Sequence, residues 1–165
     1  MIVVSDTTAI SNLIQINELN ILTSLYQEVI IPPTVFDELL VLEDFDIPVK
    51  EKLSESWVRV QKVNVNIYNK LINKYGGRLD KGEAEAIALA KEISADYLLI
   101  DEKAGRVVAR DIQLNIIGTI GILLDARKKG LINSIKNKMD DLRDIGFWIS
   151  DGLYEEIIKL EQRLI

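Results

Sequence analysis

The 165-residue sequence contains no cysteine and no histidine. Without cysteine there are no disulfides, zinc–thiolate centres or thiol nucleophiles. Without histidine there is no Ser-His-Asp triad, imidazole acid–base catalysis or histidine-ligated metal. Hydrolytic chemistry in this chain must come from carboxylates, Lys, Arg, Ser, Thr, Tyr or a cofactor, and a set of carboxylate oxygens suits Mg²⁺ or Mn²⁺ best. No apolar run approaches the ~18–20 residues needed to cross a bilayer. The opening residues Met1 to Asp6 show no basic segment followed by a signal-like apolar stretch. These absences predict a cytoplasmic protein that does not engage a membrane. Repeats, linkers and low-complexity segments are lacking too, so residues 1–165 read as a single domain.

The net charge is −6, which does not suit a generic nucleic-acid coat protein. The charge is uneven, however. From Lys103 to Lys138 there are eight basic residues (Lys103, Arg106, Arg110, Arg127, Lys128, Lys129, Lys136 and Lys138) against Asp111 and Asp125. A basic stretch beside an acidic site is an arrangement phosphodiester chemistry would use; a solvated basic face is the alternative.

Five short apolar segments read as strands: 2–4, 28–31, 57–63, 97–100 and 115–117. The third alternates like an edge strand. Helices are expected at 9–25 (with a possible break near Asn17), 35–42, 68–75, 81–94, 104–111, 121–129, 132–146 and 152–164. Thr34 is the expected N-cap of the second, with Asp37 at N3. Residues 43–56 are acidic and polar and read as a loop or short helix. Asp80-Lys81-Gly82-Glu83 has the form of a capping box. Strands alternating with helices predict a parallel sheet covered by helices, with its crevice at the carboxyl ends of the strands. The all-helical segment from about 119 onward is expected to pack on the sheet or on a second subunit.

Asp6 and Asp101 both stand where a strand ends. Each is a competent helix cap or turn residue, yet two acids at parallel-strand ends can also converge. Glu83 carries more information. At about 100° per residue, it falls within about 80° of Ile87, Ala90, Ala86 and Ile93, the buried stripe of its helix. A carboxylate on an apolar face needs a partner. That partner is either the capping box, or a metal at the crevice, or both. Glu85 falls on the polar side and reads as solvated. Glu38 borders the apolar face of Val41 and Leu42, although taken alone a first-turn acid favoured by the helix dipole is the better account of it. Together the four acids point to an Mg²⁺ or Mn²⁺ site able to hydrolyse phosphodiesters.

Several segments occur in a telling order: Val4-Ser5-Asp6-Thr7-Thr8, Ile31-Pro32-Pro33-Thr34-Val35-Phe36-Asp37-Glu38-Leu39, Gly82-Glu83-Ala84-Glu85-Ala86-Ile87-Ala88, Leu98-Leu99-Ile100-Asp101, Gly118-Thr119-Ile120-Gly121 and Gly146-Phe147-Trp148-Ile149-Ser150-Asp151. This order resembles the PIN-domain family over nearly the whole chain, and most closely a prokaryotic subgroup of uncharacterised PIN-like nucleic-acid-binding proteins. The resemblance implies a three-layer α/β/α sandwich around a central parallel sheet, with a C-terminal helical extension from about 119. It also implies a Mg²⁺- or Mn²⁺-dependent ribonuclease, with many relatives being VapC-type toxins of toxin–antitoxin pairs. By motif position, Asp6, Glu38, Glu83 and Asp101 match the family's acids. Thr7 and Asn12 match supporting polar positions, and Glu102 is a nearby acid that could assist Asp101. Lys103, Arg106 and Arg110 would meet RNA. A homodimer and a small antitoxin partner are further implications. In one respect the chain departs from the family: the third acid is usually Asp, and here it is Glu83, one methylene longer.

Two other readings compete. A PIN-like module that binds RNA or protein without catalysis is one. The other is a different Mg²⁺ enzyme such as a phosphotransferase, but Ser5-Asp6-Thr7-Thr8 lacks a second Asp two residues on, and Gly118-Thr119-Ile120-Gly121 is too short for a phosphate loop.

Overall fold

The computed structural model describes residues 1–54 and 56–164; position 55, within the expected 43–56 loop, and position 165 lie outside the described residues. Five strands form one parallel sheet: β1 (Val3–Ser5), β2 (Val29–Ile31), β3 (Val58–Val60), β4 (Tyr97–Leu99) and β5 (Ile116–Ile117), in the order β3-β2-β1-β4-β5. Each strand is two or three residues long. At that length the ladder alone could not hold the sheet, so burial on both faces must.

Successive side chains on a strand point to opposite faces, and the core divides accordingly. Val3, Val29, Ile31 and Leu99 join one apolar cluster. It is closed by α1 (Thr7–Gln15), α2 (Asn20–Tyr26), α3 (Pro33–Leu40), α4 (Val49–Leu53), α8 (Thr119–Lys128), α9 (Ile135–Asp144) and α10 (Asp151–Leu164). Val4, Ile30, Leu98 and Ile100 join the other cluster, with α5 (Val65–Tyr75), α6 (Lys81–Glu92) and α7 (Lys103–Asp111). The result is the expected three-layer sandwich. No helix among the described residues is long and apolar enough to cross a membrane.

Element boundaries moved where backbone chemistry outweighed pattern. The helix expected over 9–25 is two helices, because Asn17 takes a left-handed conformation (φ 60°), which Asn tolerates better than most residues. The helix expected from Val35 starts at Pro33, with Pro32 in the capping position and no side-chain cap. Proline suits a first helical position because its φ is preset and its missing N–H would be unpaired there anyway. Thr34 is therefore inside the helix and not its cap, and Asp37 is exposed. Within 43–56 the chain makes a 3-10 turn over Val41–Phe45 and then α4. The helix expected from Ile132 begins at Ile135, where the Ser134 hydroxyl accepts from the Asn137 N–H at 3.2 Å.

The strand order reverses direction between β1 and β4. In open parallel sheets such a switch point leaves a crevice outside the strands' carboxyl ends, because the helices that follow the two strands leave to opposite faces. Asp6 directly follows β1, and its N–H donates to Leu99 O on β4 at 3.0 Å. Asp101 lies two residues after β4. Topology therefore places both acids at the crevice.

Candidate active site at the sheet switch point

Asp6 caps α1: its Oδ1 accepts from the Ala9 N–H at 3.4 Å. Capping occupies only one of the two carboxylate oxygens. Asp6 is 1% exposed, and its Oδ2 is buried with no hydrogen-bond partner. Burial, the largest cause, and the neighbouring charges of Asp101, Glu83 and Glu102 hold its carboxyl well above the usual carboxylate range.

Glu83 repeats this division of labour. The capping box of α6 is complete: Glu83 N donates to Asp80 Oδ1 at 2.8 Å, and Asp80 N donates to Glu83 Oε2 at 3.1 Å. The remaining Oε1 is buried and unpartnered. Burial, against the opposing Asp80 backbone hydrogen bond and with the charges of Asp80, Glu102 and Glu38, pushes its carboxyl upward.

Asp101 is held by a residue to which the sequence reading gave no role. Thr119, fully buried at the start of α8, donates its N–H to Asp101 Oδ1 at 2.8 Å and its hydroxyl to Oδ2 at 2.6 Å. Asn12, also buried, donates to the same Thr119 hydroxyl oxygen at 3.3 Å. Burial raises the Asp101 carboxyl, while the Thr119 hydrogen bonds and the Arg106 charge oppose that rise. The available signal was position: Thr119 follows a short strand and opens a helix, as Thr7 does after β1.

Glu38 reaches the cluster from α3. Thr7 donates its hydroxyl to Glu38 Oε2, which gives Thr7 its supporting place. Glu85 links α6 to the start of α3: its Oε2 accepts from the Thr34 N–H at 3.4 Å, and its side chain pairs with Lys81 of its own helix at 4.0 Å. Glu85 is half-buried at a helix N-terminus, which corrects the expectation of a solvated residue; the dipole of α3 and the free N–H in its first turn attract the carboxylate. Glu102 is exposed at the start of α7. It takes part through its charge on Asp6 and Glu83.

Three glycines border the acids closely. A Cβ on Gly82 would lie 2.6 Å from both Glu38 carboxylate oxygens. One on Gly105 would lie 3.0 Å from Glu83 Oε1, and one on Gly118 would lie 2.9 Å from Asp101 Oδ1 and 2.6 Å from Arg106 Nη1. A methyl at position 82 can be accommodated only by displacing the Glu38 carboxylate. Gly82→Ala is therefore expected to weaken divalent-ion binding by about 10–100-fold, the usual effect of disturbing the groups that orient ligands. Helix propensity would change by only about 1 kcal/mol in alanine's favour. Calorimetric metal titration beside thermal melts checks this; an unchanged affinity would show that Glu38 is not a ligand.

The basic residues of the 103–138 segment lie in different places. Arg106 is at the cluster, donating Nη1–H to Ile100 O at 3.3 Å. Lys103 and Arg110 are exposed on α7. Arg127, Lys128, Lys136 and Lys138 are each paired with a carboxylate elsewhere.

The donors at the crevice are all oxygens, which fits Mg²⁺ or Mn²⁺ in kind. Two of those oxygens are buried without partners, a costly state that a cation would relieve. As the side chains stand, no three acids among the described residues converge on one point close enough to hold an ion. Holding an ion there would require side-chain adjustment, most readily of the half-exposed Glu38.

A search of curated proteins finds no match to this chain. A family model described as a PIN domain matches residues 2–163. The match spans nearly all of the sequence and agrees with the observed sheet, and so the chain belongs to the PIN-domain family, whose fold is of nuclease type.

Proposed function

We propose that the protein is a metal-dependent endoribonuclease of the cytoplasm, the VapC-like toxin of a toxin–antitoxin pair. One observation carries the reading: Asp6 and Glu83 each keep a buried, unpartnered carboxylate oxygen at the switch point of a PIN-type sheet. Asp6, Glu38, Glu83 and Asp101 would hold Mg²⁺ or Mn²⁺. When bound, the ion would lower the pKa of a coordinated water and neutralise charge on the phosphoryl oxygens. The chain's own residues do the rest. Thr119 and Asn12 fix Asp101, Thr7 orients Glu38, and Glu102 adds negative charge that strengthens the pull on a cation. Arg106 lies beside Asp101, where it can hold a phosphate of the RNA, and Lys103 and Arg110 extend the positive potential along α7.

In this proposal residues 1–165 form one unit, with the helices from about 119 as its C-terminal extension. A groove of 570 Å³ runs from Asp101 and Arg106 to Trp148 and Leu153, both exposed. A small antitoxin seated there, or a second copy in a homodimer, would cover the acids as well as the apolar surface.

The test is RNA cleavage with Mg²⁺ or Mn²⁺ by the wild type and by Glu83→Gln. The variant keeps an acceptor for the Asp80 N–H but loses the charge, and cleavage should fall about 10²–10³-fold, the usual loss when one preorganised electrostatic group goes. Equal cleavage by both proteins would sink the assignment. A non-catalytic RNA-binding module is the second reading. It draws on Glu83, which already commits one oxygen to its capping box, and it requires that calorimetry detect no metal binding in the wild type.

A further inference from the structure

We propose that the cleft between α7 and the turn joining α5 to α6, lined by Arg78, Val107 and Arg110, is a second RNA subsite that holds the backbone of a single strand leading away from the acid cluster. The proposal rests on the reading of that cluster as a nuclease centre.

The geometry begins with α7. Lys103, Arg106, Val107 and Arg110 are spaced i, i+3, i+4 and i+7, which places them on one stripe of the helix. Gly105, Val108 and Ala109 are buried on the opposite side. Because α7 begins two residues after Asp101, the stripe starts at the cluster and runs about 10 Å along the helix to Arg110, at ~1.5 Å per residue. There it meets a cleft of 490 Å³ whose other wall carries Arg78 and Tyr75.

Charge helps to mark this stripe. Of the five cations in the later part of the basic segment, four are paired: Arg127 with Glu161 at 3.3 Å, Lys128 with Asp125 at 3.6 Å, Lys136 with Asp140 at 2.8 Å and Lys138 with Glu18 at 2.7 Å. Among the described residues, by contrast, none of Arg78, Lys103 and Arg110 forms an ion pair with a carboxylate. Asp111 is the acid in the cleft. Its charge is already engaged by the Tyr75 hydroxyl and by Lys74 at 3.6 Å, and these, with a smaller effect of the Arg78 charge, hold its carboxyl below the usual range. With Lys74 beside it, Asp111 offsets only part of the positive charge that Arg78 and Arg110 bring to the cleft, and a further anion there would be held. A phosphodiester fits, since guanidinium donors match phosphate oxygens in pairs.

Val107, 51% exposed, lies on the same stripe and gives apolar surface to the cleft. Unpaired bases can lie over it and over the guanidinium planes, whereas a duplex keeps its base faces hidden. That favours a single strand.

The test is anisotropy of a fluorescein-labelled single-stranded oligoribonucleotide, titrated with the full chain in EDTA over a range of salt concentrations. Cleavage with Mn²⁺ is measured in parallel. Two phosphate contacts in a single strand contribute about 1.4 to the slope of log affinity against log salt. Arg78→Ala/Arg110→Ala should lose that amount, Arg78→Lys/Arg110→Lys should keep it, and the exposed-acid control Asp44→Asn should leave it unchanged. A matched duplex should be insensitive to the double alanine change. An unchanged slope in a chain that cleaves RNA overturns the subsite alone. A reduced slope in a chain that cleaves nothing overturns the nuclease reading and leaves the subsite standing. Equal losses with duplex overturn the single-strand assignment. Binding of polyglutamate but not of RNA, with the same loss on substitution, would assign the cleft to an acidic protein and overturn the proposal.

Discussion

Asp6→Asn is expected to abolish RNA cleavage and, at neutral pH without metal, to make the protein more stable. The two effects have one cause. Burial and the charges of Asp101, Glu83 and Glu102 oppose ionisation of Asp6, so an ionised Asp6 costs stability whenever no cation is present. Asn removes the charge and remains as good an N-cap for α1, keeping the acceptor that meets the Ala9 N–H. The sign of the pH dependence follows. A carboxyl raised in the folded state binds a proton more tightly there than in the unfolded chain. Its stabilising contribution is complete below the ordinary carboxylate value and is lost as pH rises toward the raised value. Apo wild type should therefore lose stability through that window, and Asp6→Asn should flatten the loss. Each kcal/mol relieved should raise Tm by about 2–4 °C in a domain of this size. A divalent ion at about a hundred times its Kd would add about 2.7 kcal/mol to the wild type, and the variant should show little of that gain. Melts with EDTA and with Mn²⁺ at several pH values, beside the exposed-acid control Asp44→Asn, read all of this. A lower Tm for the variant in EDTA, or an undiminished gain with Mn²⁺, would remove Asp6 from the site.

The second large effect lies outside the cluster. Glu161, on α10 and 8% exposed, accepts from the Ile135 N–H at 2.7 Å, the Lys136 N–H at 3.3 Å and Arg127 Nε at 3.3 Å. One carboxylate thus caps α9 and ties it to α8 and α10. Glu161→Ala would leave two N–H groups in the first turn of α9 and a largely buried guanidinium without a partner. Breaking a buried pair costs about 3–5 kcal/mol. Arg127 keeps 20% of its side chain in solvent, which discounts the loss here to roughly 2–4 kcal/mol, or about 5–15 °C in Tm. Glu161→Gln keeps an acceptor and should lose less. Thermal melts of the three proteins give the order. Equal Tm values for the wild type and the alanine variant would mean that the apolar contacts of α10, led by Ile157, hold the C-terminal helices unaided.

These two residues differ in how far the sequence disclosed them. Asp6 was legible because it ends an apolar strand segment in a chain with no histidine or cysteine to supply other chemistry. Glu83 was legible because a capping box and a helical phase are both local patterns, and its burial followed from them. Glu161 gave no such sign. In its own helix it is one acid among several, and its partners Arg127, Ile135 and Lys136 are distant in sequence. Glu85 misled for the same reason. Its phase on α6 was read correctly as away from the core, but the surface it meets there is the start of α3. Thr119 gives no sign of itself within Gly118-Thr119-Ile120-Gly121, because what it does is a contact with Asp101, 18 residues away in sequence.

The sequence by itself determined the chemistry available, the alternation of strands and helices, and which acids are candidates, since composition, short-range periodicity and motif order are properties of the chain. The tertiary structure alone decided which oxygens are left without partners, that Thr119 holds Asp101, that Gly82 leaves room for Glu38, and which cations are free. Those are contacts between segments far apart in sequence, and each depends on the strand order that brings β1 beside β4. Asp6 illustrates both sides: its place at a strand end is written in the sequence, but the strain on its charge exists only once the other acids are folded around it.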